Sequence, residues 1–373
     1  MIADRLLGYL GALAGRRPEA PRMLTYAVTY TCNARCVMCD SWRIPSRDDL
    51  SLDEIEGIFA SLPRLDVVRL TGGEPFVRRD LGEIAELVRR HLNPLFLHIT
   101  TNGFTPERVV NFCEQRDQRL PLHLLVSVDG VGEKHDAVRR REGAWERTLE
   151  TLRALAPRKR ELNLALSVNQ VVVDREGIDH IGLLRQELEP LGVRNNVILA
   201  YDESATYSVE RDRELRPSEV GHYPTYGHFD RADLQRFLEE AEVDLARYNL
   251  PERMARRYYL DGLRNRLLDS EGTPSPRCAA LRRHLRIYPN GDVPTCQFNS
   301  TIVGNLREQA FRELWSSKQV EEKRAWVDAC PGCWAECEVL PSAAYSGDLL
   351  RHFARRPRRA PHTELTPSAG VAS

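Results

Sequence analysis

The chain has 373 residues, with 53 basic and 54 acidic side chains and a formal net charge of −1. That balance gives no pull toward nucleic acid, and no apolar run is long enough to span a bilayer, so neither a nucleic-acid partner nor a transmembrane segment is expected. Apolar content of 42% and charged content of 29% describe a globular protein of one large domain or two ordinary ones.

Taken in chain order, residues 1–22 open with Leu6, Leu7, Leu10 and Leu13 on a helical stripe. No basic region precedes them and no cleavage site follows, so they predict an N-terminal helix and not a signal peptide. Residues 23–200 alternate short apolar runs with amphipathic stretches. The predicted strands are Leu24–Tyr30, Val67–Thr71, Leu95–Thr101, Leu122–Val128, Leu162–Val168 and Asn196–Ala200. Helical patterns such as Leu52–Leu62, Leu81–His91 and Trp145–Ala154 lie between them. This β–α period predicts an α/β fold, a partial (β/α)6 barrel of parallel strands with functional loops at the strand C-termini. Residues 201–277 break the pattern. They comprise a Tyr/His/Ser/Pro/Gly-rich segment, two charged helical stretches (Arg231–Tyr248 and Pro251–Leu268) and a linker at Glu271–Pro276. Residues 278–341 form a small α+β module. Residues 342–373 are a C-terminal extension whose Arg- and Pro-rich end, from about Ala354, reads as a disordered tail.

The nine cysteines fall mostly into two tight groups. An odd number without a secretion signal argues for metal binding in a reducing, cytoplasmic compartment and against a disulfide framework. Cys32, Cys36 and Cys39 form a C-x3-C-x2-C loop just after the first strand. Three thiols this close can face one point, and three ligands are one short of a filled iron–sulfur site, which leaves an iron open. A partial zinc site or unrelated buried thiols are the alternatives. The second strand runs into Gly72-Gly73-Glu74-Pro75, where two glycines allow close backbone approach to a ligand. The third ends at Thr101-Asn102-Gly103. The fourth ends at Ser127-Val128-Asp129-Gly130, followed by His135-Asp136-Ala137-Val138-Arg139. Asn169 follows the fifth. In the last module the pattern is Cys278-x12-Gly291-x4-Cys296, then Cys330-x2-Cys333-x3-Cys337, with a hairpin turn at Tyr288–Asp292.

Together these motifs resemble the radical S-adenosylmethionine (SAM) superfamily, over about residues 24–340. The resemblance implies a SAM-binding 4Fe–4S cluster on Cys32, Cys36 and Cys39, with Gly72, Gly73, Glu74 and Pro75 meeting the SAM ammonium group. It places Ser127 and Asp129 near the ribose and Arg139 near the carboxylate, with Thr101, Asn102 and Asn169 as further cofactor-binding candidates. The C-terminal pattern resembles the "twitch" domain, the shortened relative of the SPASM domain, and implies one auxiliary 4Fe–4S cluster. Cys278, Cys296, Cys330 and Cys333 fit that pattern best. Cys337 can replace one of them, sit idle, or act as the hydrogen-atom donor that radical SAM epimerases use. Cys113 is the other catalytic candidate, although it lies on an apolar helical pattern. A zinc site in this module is the alternative to a cluster.

The implied activity is reductive cleavage of SAM and hydrogen abstraction from a small polar substrate, a sugar, an aminocyclitol or a similar intermediate. Oxidation or epimerisation follows, with a flavodoxin- or ferredoxin-type reductant. Tyr201, Asp202, Glu203, Tyr207, His222, Tyr226 and His228 are candidate substrate contacts. A peptide-modifying maturase is the alternative, disfavoured because only about twenty residues precede the first strand. An iron–sulfur scaffold or electron carrier is the non-enzyme alternative, against which the intact strand-end motifs speak.

Overall fold

The computed structural model describes residues 20–202, 204–210, 214 and 223–355. The expected N-terminal helix, the tail beyond residue 355, Glu203 and His222 lie outside those residues.

The first half alternates β1 (Met23–Thr29), α1 (Leu52–Ser61), β2 (Val67–Gly72), α2 (Leu81–Leu87), β3 (Phe96–Thr101), α3 (Pro106–Gln115) and β4 (Leu122–Ser127). It continues with α4 (Glu133–Arg139), α5 (Ala144–Leu155), β5 (Leu164–Val172), α6 (Arg175–Leu188) and β6 (Arg194–Leu199). The bridging helices are α7 (Arg231–Val243) and α8 (Leu250–Arg264). The last module holds β7 (His284–Ile287), β8 (Asp292–Pro294), β9 (Ile302–Asn305), α9 (Phe311–Trp315), α10 (Lys318–Ala329), α11 (Glu336–Ser346) and α12 (Asp348–Arg355).

Seven parallel strands form one sheet in the order β6-β5-β4-β3-β2-β1-β7, and β8 and β9 pair antiparallel beside it. The six predicted β–α units are all present. The fifth strand extends four residues past its expected end, because Asn169–Val172 pair with Asn196–Leu199 of β6. β7, which the sequence did not predict, lies in the stretch assigned to the small module yet joins the barrel sheet, pairing with β1 from Met23↔His284 to Tyr26↔Ile287. The cue was too weak to read, since a four-residue strand between Cys278 and a turn carries little periodicity. The 341/342 boundary also moves, because α11 runs through it and α12 continues the chain in helix to Arg355.

The sheet sorts its side chains by face. The outer positions Leu24, Tyr26, Val28, Val68, Leu70, Leu97, Ile99, Leu122, Leu124, Val126, Leu164, Leu166 and Val168 are buried in one core with the helices. Each such Leu, Ile or Val contributes about 1.5–3 kcal/mol on burial. A one-residue slip would turn them all inward, so the register is fixed from outside. The inner positions are thereby free to be polar. They alternate as half-buried residues along β4 (His123, Leu125, Ser127), β5 (Asn169, Val171) and β6 (Arg194, Asn196, Ile198). Helix starts are set locally: Ser51 and Glu54 form a capping box on α1, Asp230 and Asp233 another on α7, and Asp174 caps α6.

Candidate active site at the strand ends

The cysteine loop leaves β1 at its C-terminal end and is pinned by its backbone. Arg35 N donates to Arg139 O at 3.1 Å and Val37 N to Val138 O at 3.0 Å, so the loop lies along the end of α4. Asn102 Nδ2 donates to Asn33 Oδ1 at 2.6 Å, and Tyr226 OH to Val37 O at 2.9 Å. The structure thus brings Cys32, Cys36 and Cys39 together as three half-buried thiols. Burial pushes the Cys32 thiol up to about 12 and raises Cys39 as well. Neutral thiols so desolvated become thiolates only beside a metal or another positive charge. Arg139 supplies one such charge, with its Nη1 3.5 Å from Cys36 Sγ.

The glycines fit the site in a way that the sequence reading did not foresee. A Cβ on Gly72 would lie 2.1 Å from Thr29 O, and one on Gly73 would lie 2.4 Å from Thr31 O. Gly73 N and Glu74 N donate to those two carbonyls at 2.8 and 3.0 Å. The close approach is therefore by the chain's own segment leading into the cysteine loop. Pro75 begins a short 3-10 turn, and Glu74 is buried beneath it. Glu74 Oε1 accepts from Phe76 N (3.0 Å) and Thr101 Oγ1 (2.8 Å), and Oε2 accepts from Asn102 N (2.7 Å). Glu74 thus ties the ends of β2 and β3 together. Asp129 and Arg139, both buried, form an ion pair at 2.7 Å, and Asp129 Oδ1 accepts from Val171 N at 3.1 Å. Ser127 and Asn169 stand side by side in register on β4 and β5, half-buried on the inner face.

One catalytic candidate does not reach this site. Cys113 is 0% exposed and packs in the outer core with Phe76, Val109 and Phe112, where burial raises its thiol to about 12. Its helix, α3, covers the outside of the sheet, so the hydrogen-donor assignment for Cys113 is corrected. Of the described substrate-contact candidates, Asp202 and His228 are exposed to solvent. Tyr201 packs between Tyr223 and Phe298 and accepts a hydrogen bond from Trp334 N at 2.7 Å. Tyr226 is exposed but bonds the cysteine loop, and Tyr207 is half-buried beside the end of β2. Its hydroxyl is 3.5 Å from Thr71 Oγ1, and Arg286, Cys39 and Cys337 all act on it electrostatically.

Across the cleft, Cys278, Cys296, Cys330, Cys333 and Cys337 are each half-buried. Cys278 interacts electrostatically with Cys330, Cys296 with Cys278, and Cys333 with both Cys278 and Cys296. Cys278 thus neighbours Cys330, Cys296 and Cys333, and Cys333 neighbours Cys296, although among the described residues no three ligating side chains converge on a single metal-ion position. Cys337 has a different set of neighbours. Burial raises its thiol to about 11, and its charged neighbours are Glu338, Arg286, Arg69 and Glu336. Trp334 anchors the adjacent Cys330–Cys333 turn, donating from Nε1 to Tyr259 O at 2.8 Å under the Arg266 guanidinium, 3.9 Å above its ring.

Residues missed in the sequence complete the wall. Glu338, buried, is 2.5 Å from Arg286 Nη2 and 3.3 Å from His284 Nδ1, and His284 Nε2 is 2.8 Å from Thr25 Oγ1. Arg69 Nη1 donates to Cys337 O at 3.0 Å. Arg69 was readable in principle, as the polar inward position of Val67-Val68-Arg69-Leu70-Thr71.

Residues 26–185 match the radical SAM superfamily, and residues 278–337 match the SPASM iron–sulfur cluster-binding domain. The chain is 28% identical to the mycofactocin maturase MftC of Mycolicibacterium smegmatis, over 95% of this chain and 84% of that one. It is 26% identical to the AdoMet-dependent heme synthase of Methanosarcina barkeri, over 86% and 89% of the two chains. Among solved structures, anSMEcpe with bound AdoMet aligns with a TM-score of 0.55 at 17% identity, covering 89% of this chain and 96% of that one. Streptococcus suis SuiB bound to its precursor peptide SuiA aligns with a TM-score of 0.57 at 14% identity, covering 86% and 70%. Among the described residues, no helix is long and apolar enough to cross a membrane. The chain belongs to the radical SAM superfamily, with SAM and a 4Fe–4S cluster as its cofactors and a C-terminal SPASM/twitch-like domain for auxiliary iron–sulfur binding.

Proposed function

We propose that this protein abstracts a hydrogen atom from a small polar substrate, a sugar, an aminocyclitol or a similar intermediate. The substrate radical then either loses a proton and gives its electron to an auxiliary cluster, releasing an oxidised product, or takes a hydrogen atom on the opposite face, releasing an epimerised one. The observation that supports this reading is the polar inner wall of the sheet, which lies between the Cys32/Cys36/Cys39 loop and the C-terminal cysteines. Bound at that loop, SAM and its cluster supply reductive cleavage to methionine and a 5′-deoxyadenosyl radical, with electrons from a flavodoxin- or ferredoxin-type donor.

The chain's own residues do the positioning. Gly72, Gly73, Glu74 and Pro75, braced by Thr101 and Asn102, fix the backbone edge beside the cysteine loop that would receive the SAM amino group. Arg139, held by Asp129, keeps a positive charge at Cys36. Ser127 and Asn169 offer hydrogen bonds on the inner face of the sheet, and Tyr207, beside Thr71, would help to keep water from it. Cys278, Cys296, Cys330 and Cys333 hold one auxiliary cluster. Cys337 keeps its hydrogen at Sγ, since burial disfavours the thiolate, and its place beside Arg69, Arg286 and Tyr207 suits return of that hydrogen to a substrate carbon.

The peptide-modifying reading is kept as the alternative, favoured by one observation: the likeness to the mycofactocin maturase runs over 95% of this chain. The test is anaerobic turnover of the reduced, reconstituted protein with SAM in deuterium oxide, with polyol and peptide candidates in parallel. Formation of 5′-deoxyadenosine and a mass change in a polyol support the proposal. Epimerisation leaves one solvent deuteron in the product, and oxidation removes two hydrogens. Stimulation by peptides alone transfers the assignment to the alternative, and no 5′-deoxyadenosine under any condition sinks both.

A further inference from the structure

The seven strands carry a one-sided set of ionisable side chains. Their arginines are Arg69, Arg194 and Arg286, their histidines are His98, His123 and His284, and they hold no aspartate or glutamate. All six point to the inner face. Arg69 is in register with Thr25 and His98, His98 with His123, Ser167 with Arg194, and Thr25 with Arg286. His284 shares that face, two residues before Arg286.

Two of these cations are neutralised from outside the sheet. Glu338 of α11 pairs with Arg286, and Glu252 of α8 pairs with Arg194. The imidazoles add no charge to balance. His98 and His123 bond to each other through Nδ1 at 3.1 Å, and their far nitrogens face the Thr100 and Ser167 hydroxyls at 3.2 and 2.7 Å. Burial, reinforced by the neighbouring arginines, holds both below their ordinary range. Arg69 remains. Among the described residues it has no carboxylate within ion-pair distance, and its one hydrogen bond is to Cys337 O at 3.0 Å. It is half-buried on the inner face of the sheet, one inward position below Thr71. A guanidinium has five N–H donors in a planar fork, and one carbonyl leaves most of them unused. A cation in so partly desolvated a place is best satisfied by an anion with two acceptor oxygens.

We propose that Arg69 is an anion-binding subsite of the cleft, and that the substrate carries a carboxylate or phosphate group that docks on it. The substrate half of this inference rests on the hydrogen-abstraction reading above; the subsite itself does not. Docking at Arg69, beside Cys337 and below Thr71, would hold the reacting carbon toward the strand ends, where the cysteine loop sits.

The test uses the full-length, anaerobically reconstituted protein with SAM present, and phenylglyoxal as an arginine-specific reagent followed by peptide mass mapping. The probes are succinate, inorganic phosphate and the neutral isostere succinamide. Arg119, whose side chain is 81% exposed, is the internal control for reagent activity. The expected result is several-fold slower modification of Arg69 with succinate or phosphate and no slowing with succinamide. The stronger protector of the two assigns the group as carboxylate or phosphate. Equal protection by succinamide, full protection by SAM alone, or no protection by any probe overturns the proposal. 5′-Deoxyadenosine is measured in the same samples. Cleavage without protection removes the subsite and leaves the reaction, whereas protection without cleavage removes the reaction and leaves the subsite.

Discussion

Glu74 and Glu338 are both fully buried beside a cysteine group, yet the protein treats them in opposite ways. Glu74 sits among backbone amides and a hydroxyl, and burial outweighs those donors and pushes its carboxyl above the ordinary value. At Glu338 burial also pushes upward, but His284 and Arg286 outweigh it and hold the carboxyl down at about 2. Burial keeps His284 itself below its ordinary range, so Arg286 is the partner that is charged at neutral pH. Glu74 thus ties two strand ends together by hydrogen bonds, while Glu338 ties α11 to the sheet strand β7 by an ion pair. The first arrangement fixes a backbone edge; the second fixes how α11 docks on the sheet.

The strongest way to separate the two regions is to remove the cysteines of one. Cys32/Cys36/Cys39→Ala should abolish 5′-deoxyadenosine formation while about four irons per chain remain in the C-terminal module. Iron and acid-labile sulfide analysis checks this. If no iron remains, the four C-terminal thiols do not hold a cluster by themselves.

Next in size is Glu338→Gln. It leaves the Arg286 guanidinium buried without its counter-charge, and breaking such a pair costs about 3–5 kcal/mol. Thermal unfolding should show the loss, and Arg286→Met on the same background should recover part of it. The pH dependence has a definite sign. Because the folded-state value of about 2 lies below the ordinary 4.5, the contribution of Glu338 is complete above pH 4.5 and is lost as pH falls toward 2. Glu338→Gln should flatten acid unfolding across that window. Glu74 contributes in the other direction, since a raised carboxyl loses its contribution as pH rises past the ordinary value. Glu74→Gln should cost less, about 1–3 kcal/mol, because its amide would face one of three donors and leave a hydrogen bond unmade. A larger loss from Glu74→Gln than from Glu338→Gln would reverse the comparison.

The barrel end was far more legible than the module's docking. Cys32, Cys36, Cys39 and Gly72–Pro75 are contiguous motifs at predicted strand ends, so local spacing alone places them. The pairings that position them, such as Asn102 with Asn33 or Asp129 with Arg139, follow once the strands are parallel and adjacent. β7 was not legible, because its membership in the sheet is decided by pairing with β1 some 260 positions earlier (Met23↔His284), which no periodicity encodes. Glu338 was hidden for the same reason: inside Glu336-Cys337-Glu338 it looks like a solvated charge, and only the arrival of Arg286 makes it a core residue. The meaning of the glycines was half legible. The close approach at Gly72 and Gly73 was expected, and the chain's own Thr29–Thr31 makes one such approach.

Two helical glycines give the finest probe of the comparison. Gly262 on α8 faces the C-terminal module, where an added Cβ would lie 2.0 Å from Trp334 Cζ2. Gly57 on α1 faces solvent on the barrel side, and its Cβ would meet nothing within 4 Å. Both positions gain helix propensity from alanine, about 1 kcal/mol. At Gly262 the indole must move, and it is stacked on Tyr258 and Tyr259 and bonded to Tyr259 O, so overpacking of about 1–3 kcal/mol outweighs that gain. The displaced Trp334 adjoins Cys333, so Gly262→Ala should also lower the iron retained by the Cys32/Cys36/Cys39→Ala protein. Gly57→Ala should raise the melting temperature slightly and leave the iron content unchanged. Equal iron retention in the two variants would show that the cysteine turn does not depend on its aromatic anchor.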